Sequence, residues 1–398
     1  MRALALILAG GAGGRMEVLT EGRAKPVLPF AGVYRLIDFP LSNCRHSGLS
    51  DVWVVQQYEP QSLNDHLVNG RPWDLDRTYG GLRLLSPQLG SSETGGWHQG
   101  NADALFKNRG LIGEFDPEVL VVLSADHVYK LDYRQVIAFH DEVDADVTVV
   151  TTTVPQEEAS RFATVEAGED GRVHRFLYKP DEPPTGVVST EVFLYKPDTL
   201  LALLDRLGKE HGDELPEDYG ESLLPTLVDE ARAYEWRFDG YWQDVGTVSA
   251  YWSAHLRLVR EGEPDLDEQH WPILTLAPQR PPARLDPLAS VDTALVSPGC
   301  RVAGRVIRSV LGPGTVVEEG ATVRDSVLFD DCVVARDASV DTAILDRNAH
   351  VGEGARVGAE GAGPEGVVLV AAEAKITNGS RVDPGARVAR GSNREHGR

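Results

Sequence analysis

Three lines of residues recur at a step of 17 in the last third of this 398-residue chain, and no other feature restricts its fold as strongly. Ser309-Val310-Leu311, Ser326-Val327-Leu328 and Ala343-Ile344-Leu345 form the first line. Thr315-Val316-Val317, Cys332-Val333-Val334 and Ala349-His350-Val351 form the second, and Ala321-Thr322-Val323, Ala338-Ser339-Val340 and Ala355-Arg356-Val357 the third. A step near three hexapeptides, with a small or aliphatic residue directed inward about every sixth position, lets one coil stack on the next. The pattern predicts a triangular β-helix; a β-sandwich with chance similarity would not keep the spacing in all three lines. Its flat aliphatic sides are expected to make subunit contacts, giving a homo-oligomer.

The chain before this repeat has a different character. Short apolar runs (Leu4 to Leu8, Val52 to Val55, Val119 to Leu123, Val147 to Val150) alternate with longer amphipathic stretches. Even, largely β-branched runs of that kind are strands buried on both faces with helices between them, which predicts an α/β sheet. The stretch from Gly262 to Pro287 is rich in Pro and acidic residues and has no period, so it reads as a linker. The domains are therefore expected at 1–258 and 288–390, with a linker at 259–287 and a polar tail at 391–398. Ala3 to Ala9 has the apolarity of a signal peptide, but it is short and runs straight into Gly10, Gly11, Gly13 and Gly14. It reads better as a buried strand opening a glycine loop.

No stretch approaches the roughly 18 apolar residues of a membrane span. Cys44, Cys300 and Cys332 are too few and too scattered for a disulfide framework or a zinc site, so a reducing, cytoplasmic setting is expected. With 39 Lys and Arg against 61 Asp and Glu, the net charge of −22 excludes a general nucleic-acid binder.

The glycine loop Leu8-Ala9-Gly10-Gly11-Ala12-Gly13-Gly14-Arg15 lets backbone amides approach a triphosphate, and Arg15 adds a planar cation. It is not a P-loop, because no Gly-Lys-Ser/Thr follows, and not the dinucleotide fingerprint, because Met16 occupies the third glycine position. Further motifs are Arg23-Ala24-Lys25-Pro26, Tyr34 to Asn43, Gly100-Asn101-Ala102-Asp103-Ala104, Ser124 to Tyr129, Tyr241 to Thr247 and Trp271-Pro272-Ile273. With the repeat, these resemble in order the glucose-1-phosphate adenylyltransferase family of sugar-1-phosphate nucleotidyltransferases.

That resemblance implies a Rossmann-like mixed-sheet nucleotidyltransferase domain followed by a left-handed β-helix. It also implies in-line attack of a sugar phosphate on the α-phosphorus of an NTP, with release of pyrophosphate. Asp126 and Asp244 would hold Mg²⁺. Arg15 would grip the β- and γ-phosphates, Lys25 would approach the transferring phosphate, and Lys179 would hold the sugar phosphate. The implied nucleotide site comprises Leu8, Ala9, Gly10, Gly11, Gly13, Gly14, Gln88, Gly100, Ala102 and Asp103. Gln88 offers both a donor and an acceptor, so ATP and GTP both remain open. The implied sugar site comprises Tyr178, Lys179, Ala163, Ser189, Thr190 and Glu191.

Here the sequence departs from the family. Tyr178-Lys179-Pro180 stands where Glu-Lys-Pro is usual, Phe162-Ala163-Thr164 for Phe-Gly-Val, and Ser189-Thr190-Glu191 for Ser-Met-Gly. A pocket built around particular hydroxyls can discriminate by about 10⁴. The changes therefore point to a different ring, as in the branch that serves aminocyclitol antibiotic pathways and nucleotidylates valienol 1-phosphate or similar carbasugars. Compensation by Glu191, leaving glucose 1-phosphate as substrate, is the alternative. A silent regulatory subunit would not need both metal carboxylates, and His350, within a repeat line, suits a structural role better than acyltransferase chemistry. Val33 replaces an activator-binding lysine of regulated relatives, which speaks against activation by sugar phosphates.

Overall fold

The computed structural model describes residues 2–11, 13–87, 98–210 and 218–391, and the chain forms two compact units. The first comprises Met1–Ala12 and Phe39–Trp242; the second comprises Gly13–Asp38 and Gln243–Arg398. Among the described residues no helix is long and apolar enough to cross a membrane.

In the first unit nine of the described strands form one mixed sheet: β1 (Ala3–Ala9), β2 (Asp51–Gln56), β3 (Gly81–Leu85), β4 (Val119–Ser124), β5 (Val147–Thr153), β6 (Thr164–Ala167), β7 (Val173–Leu177), β8 (Val187–Tyr195) and β9 (Ala233–Arg237). β1 is parallel to β2 and β4, with Leu6 opposite Trp53 and Val122, and β3 extends this parallel core. β1, β2 and β4 are largely buried on both faces because helices pack against them. Leu4, Leu6, Val55 and Val122 share one core with Leu105 and Ile112 of α1 (Asn101–Phe115) and Leu200 and Leu204 of α2 (Pro197–Glu210). β8 runs against this direction, antiparallel to β4, β5 and β6, which makes the sheet mixed. Its register against β5 shifts between Ser189 and Val192, so Thr190 and Glu191 form a bulge.

In the second unit the coils build three parallel sheets of six described strands each, the three-sided coil of a left-handed β-helix. The registers follow the sequence repeat: Val310, Val327 and Ile344 stack, as do Val316, Val333 and His350, and Thr322, Ser339 and Arg356. The first residue of each repeated triplet points inward and is buried. Serine is tolerated there because its hydroxyl bridges coils: the Ser326 amide donates to Ser309 Oγ, and the Ala343 amide to Ser326 Oγ, both at 3.1 Å. The three cysteines are buried and unbridged. Between Val357 and Val368 the chain takes a longer excursion, after which His350 pairs with Lys375 and Arg356 with Arg381.

The contiguous domains expected from the sequence differ from these units, which interleave along the chain. Segment Gly13–Asp38 folds with the β-helix and with α3 (Val248–Glu261). Arg23 donates to Asp346 at 2.5 Å, both side chains buried, and its guanidinium lies 5.7 Å from the Phe329 ring centre. Arg35 lies 3.6 Å from Asp330, and Arg387 makes two bonds to Glu17, at 2.5 and 2.9 Å. The Tyr251 hydroxyl donates to Pro29 O. Gly32, with φ of 84°, lies so close to Ser297 that a side chain would meet its hydroxyl. One flat side of the coil is therefore in contact with the chain's own segment. The helix α3 continues to Glu261 and the first coil strand begins at Arg284, which brackets the Pro-rich linker.

His255 joins α3 to this segment. Its ring is buried, Nε2 accepting from the Ala31 amide at 3.2 Å while Nδ1–H donates to Tyr251 O at 2.9 Å. That arrangement needs a neutral ring, and burial pushes its pKa from 6.5 down to about 4. Below pH 6.5 the unfolded chain binds a proton that the native state refuses, so stability is expected to fall as pH drops toward 4. The total for this residue is about 3 kcal/mol. Urea midpoints measured from pH 7 to pH 4.5 should decline, and His255→Asn, less stable at pH 7, should decline less steeply.

Candidate active site

Each unit carries part of the predicted set. In the first, β1 ends at Ala9 and the chain enters Gly10 and Gly11 at the carboxyl end of the parallel core, where α/β sheets bind ligands. A cleft of about 200 Å³ opens there, lined by Leu8, Gly10, Gly11, Val55, Gln57, Tyr58, His98, Gln99, Gly100, Asn101 and Ala104. Its far wall is the N-terminus of α1, whose exposed amides favour an anion. The Gln57 amide brackets the His98 main chain, donating to its carbonyl at 2.8 Å and accepting from its amide at 2.6 Å. His98 Nδ1 is buried without a hydrogen-bond partner among the described residues, and burial lowers the ring's pKa, so a neutral imidazole lines the cleft.

Of the residues predicted for the nucleotide, Leu8, Gly10, Gly11 and Gly100 line this cleft. Ala9 is buried in the sheet, and Ala102 is packed in the apolar core. Asp103 is also buried; its carboxylate accepts from the Gln99 amide at 2.9 Å and pairs with Lys107 at 2.6 Å, so it supports the loop. Gln88 lies outside the described residues. Gln57, Tyr58 and His98 were not singled out from the sequence, because nothing in their spacing marks them.

The predicted sugar residues gather at the other part of the first unit. The Tyr178 hydroxyl donates to Asp218, and Lys179 Nζ donates to Tyr178 at 2.6 Å while lying 4.4 Å from its ring centre. Burial and the Asp218 carboxylate raise the Tyr178 pKa, so the phenol stays protonated. Gly220 allows this arrangement, since a Cβ there would sit 2.2 Å from the Tyr178 ring. The Tyr219 hydroxyl bonds to Glu191. Ser189 and Thr190 are buried, Thr190 donating to Val150 O at 2.9 Å, and Ala163 O accepts from the Ser189 amide at 2.8 Å. These three shape the bulge, leaving Glu191 as the member whose charged group enters the site. Asp126 follows β4, accepts from Ser124, and lies with His127 and Glu191 in one cluster. Asp218, Tyr219 and His127 escaped sequence reasoning.

The second unit carries Gly13, Gly14, Arg15, Lys25 and Asp244. Gly13 has φ of 67°, and a Cβ on it would lie 2.9 Å from Thr20 Cγ2 and 3.2 Å from Lys25 Cβ, so glycine lets both residues pack against the loop. Lys25 is buried. A Cβ on Gly246 would lie 2.8 Å from Asp244 Oδ1 and 3.3 Å from an Arg15 nitrogen, so the carboxylate and the guanidinium flank one glycine. A carboxylate and two cations within one loop region are suited to a polyphosphate and its counter-ion.

The family described as nucleotidyl transferase matches residues 4–261, and that described as GlmU-like, C-terminal hexapeptide matches 283–382. A glucose-1-phosphate adenylyltransferase of Thermomicrobium roseum is 45% identical over 359 residues, 89% of this chain and 82% of the relative. One from Acetivibrio thermocellus is 39% identical over 357 residues, covering 89% and 83%, and one from Bacillus mycoides is 36% identical over 372, covering 93% and 98%. With its two-part architecture and its cation- and carboxylate-bearing loops, the chain belongs to the sugar-1-phosphate nucleotidyltransferase family, among relatives that are glucose-1-phosphate adenylyltransferases.

Proposed function

We propose that this protein is a Mg²⁺-dependent nucleotidyltransferase that transfers the NMP of a purine NTP to the 1-phosphate of a glucose-like ring other than glucose, such as valienol 1-phosphate, and releases pyrophosphate. The observation that carries this reading is the Glu191 carboxylate, brought beside Asp126 and His127 by the β8 bulge. A ring acceptor would meet a carboxylate at a bulge where the family's glycine presents only backbone. Tyr178, bonded to Asp218, lies within the field of the same carboxylate. Such a product would serve antibiotic or other secondary-metabolite biosynthesis in the cytoplasm.

Two anions must approach each other in the reaction, so charge neutralisation and alignment outweigh proton transfer. Asp126 and Asp244 each offer the oxygen donors that Mg²⁺ prefers, and a bound Mg²⁺ would supply positive charge to the phosphates. Arg15 holds the departing pyrophosphate oxygens with a planar guanidinium. Lys25 neutralises the transferring phosphate. Lys179 holds the acceptor phosphate, and its bond to Tyr178 fixes the direction of the ammonium group. Leu8, Val55 and Ala104 offer apolar walls to the base, with polar Gln57 and His98 at its rim. The relatives' name supports ATP as the donor. Exposed Leu285, Leu288 and Val291 at the first coil support an oligomer through the β-helix.

A second reading is glucose 1-phosphate as acceptor. It is favoured by Asp218 and Glu191 together, since either carboxylate can take over the hydrogen bonds of the glutamate that Tyr178 replaces.

Pyrophosphate release measured with ATP and GTP against glucose 1-phosphate and valienol 1-phosphate separates these readings. Turnover confined to the cyclitol phosphate is expected, and strong turnover of glucose 1-phosphate would establish the second reading. Asp126→Asn should lower kcat by at least 10² with the thermal midpoint little changed; near-normal kcat would remove Asp126 from the mechanism. Lys179→Ala should raise KM for the acceptor by 10-fold or more, about 1.4 kcal/mol, and leave KM for the nucleotide near its original value. Tyr178→Glu with Glu191→Gly should shift preference toward glucose 1-phosphate, and an unchanged preference ratio would show that these residues do not read the ring.

A further inference from the structure

The cluster at the end of β4 is not composed of carboxylates alone. One donor atom from each of Asp126, His127 and Glu191 lies within 4.8 Å of the others. His127 is 4% exposed, and its Nδ1 lies 3.0 Å from Thr190 O. A carbonyl can only accept, so Nδ1 donates to it, and this bond sets the direction in which Nε2 faces. Nε2 is on the side of Asp126, 3.7 Å from Oδ1. A backbone carbonyl on the remote nitrogen is how metal-binding histidines fix their tautomer and ring direction. The ring is further held edge-to-face by Trp242 at 5.1 Å, which packs at 5.3 Å on Phe162.

Glu191 reaches the same point from another strand. Its backbone is left-handed, φ 57°, a conformation that side-chain-bearing residues adopt at a cost, and its amide donates to Ser189 Oγ at 3.2 Å. The carbonyl that orients His127 and the carboxylate beside it belong to consecutive residues of one bulge, so a single backbone feature sets two of the three donors. Two carboxylates gathered beside an imidazole nitrogen are donors of the kind that a divalent cation draws together.

We propose that Asp126, His127 and Glu191 form a site for a borderline divalent cation, Mn²⁺, Co²⁺ or Zn²⁺, held by two carboxylate oxygens and His127 Nε2. One nitrogen among the ligands selects these ions over Mg²⁺, which favours oxygen only. The remaining coordination positions belong to water or to hydroxyls of a bound ring. The site shares Asp126 with the proposed reaction but stands on His127 and Glu191, and it does not depend on which acceptor is used.

The test uses the full chain stripped of metal with a chelator and titrated with CoCl₂ in the absence of nucleotide and sugar. One equivalent should bind at least about tenfold more tightly than Mg²⁺, with visible absorption bands of a nitrogen-containing site, and Mn²⁺ should show nitrogen coupling in pulsed EPR. Glu191→Gly relieves the strained backbone and so preserves folding, and His127→Asn keeps an amide near Nδ1 for Thr190 while removing Nε2. Each should weaken Co²⁺ by about tenfold or more, and His127→Asn should abolish the nitrogen coupling. Lys179→Ala should bind Co²⁺ as the parent does. Co²⁺ affinity no greater than that for Mg²⁺, or a spectrum unchanged in both cluster variants, overturns the site. Either result leaves the Mg²⁺-dependent reaction to be judged by Asp126→Asn turnover, so the two readings fail separately.

Discussion

The buried pair between Arg23 and Asp346 joins residues 323 apart in sequence, and the second unit depends on it. Two charges removed from water are costly unless each finds good partners. Asp346 Oδ1 accepts from Arg23 and, at 2.6 Å, from the Arg347 amide, and Arg23 also lies over the Phe329 ring. Loss of either partner would leave a buried charge uncompensated, a penalty of about 3–5 kcal/mol. Its consequence is positional: two residues beyond Arg23 is Lys25, and eight before it is Arg15. The loop that carries both cations is fixed by a coil of the β-helix. The β-helix thus has a part in placing Arg15 and Lys25.

Close approach is the second theme. Gly13, Gly220 and Gly246 each lie where a Cβ would collide with a residue of the site: Lys25, Tyr178, or Asp244 and Arg15. The glycines differ in geometry, since only Gly13 has positive φ, and the other two are required by space alone. Charged side chains are held near their neighbours by the absence of a methyl group, which needs no compensating hydrogen bond. The same economy explains Tyr178, whose ring fills the room left by Gly220 and carries Asp218 and Lys179 on one hydroxyl.

The β-helix was legible because its constraint is periodic: each interior position repeats at 17 residues, and small buried residues such as Ala338 and Ala355 mark it. Strands β1, β2, β4 and β5 were legible because burial on both faces leaves an unbroken apolar run. The departure of Gly13–Asp38 from the sheet unit was not, since it rests on pairs such as Glu17 with Arg387 and Arg35 with Asp330 that have no local signature. Asp218 was missed for the same reason, whereas His127 lay inside the quoted motif Ser124 to Tyr129 and was passed over because Asp126 beside it took the metal role. Among motif residues, roles inferred by position divided: Gly10, Gly11 and Gly100 line the cleft, whereas Ala102 and Asp103 support it from within the core. A motif records which residues recur together and does not say which of them face the ligand.

Glu191 brings these threads together. A left-handed backbone at a side-chain-bearing residue costs about 1–3 kcal/mol, and glycine at that position would avoid it. The bond from Tyr219 to the carboxylate returns about 1.5–3 kcal/mol at most, because the acceptor is charged. The two nearly cancel, so folding stability alone gives little reason for glutamate at this bulge. What the residue adds is a second carboxylate beside Asp126 and His127, while nearby Asp218 is bonded to Tyr178. The bulge in β8 therefore serves the site rather than the sheet. Under the proposed function, that negative group is what a ring acceptor or its accompanying cation would meet at the bulge.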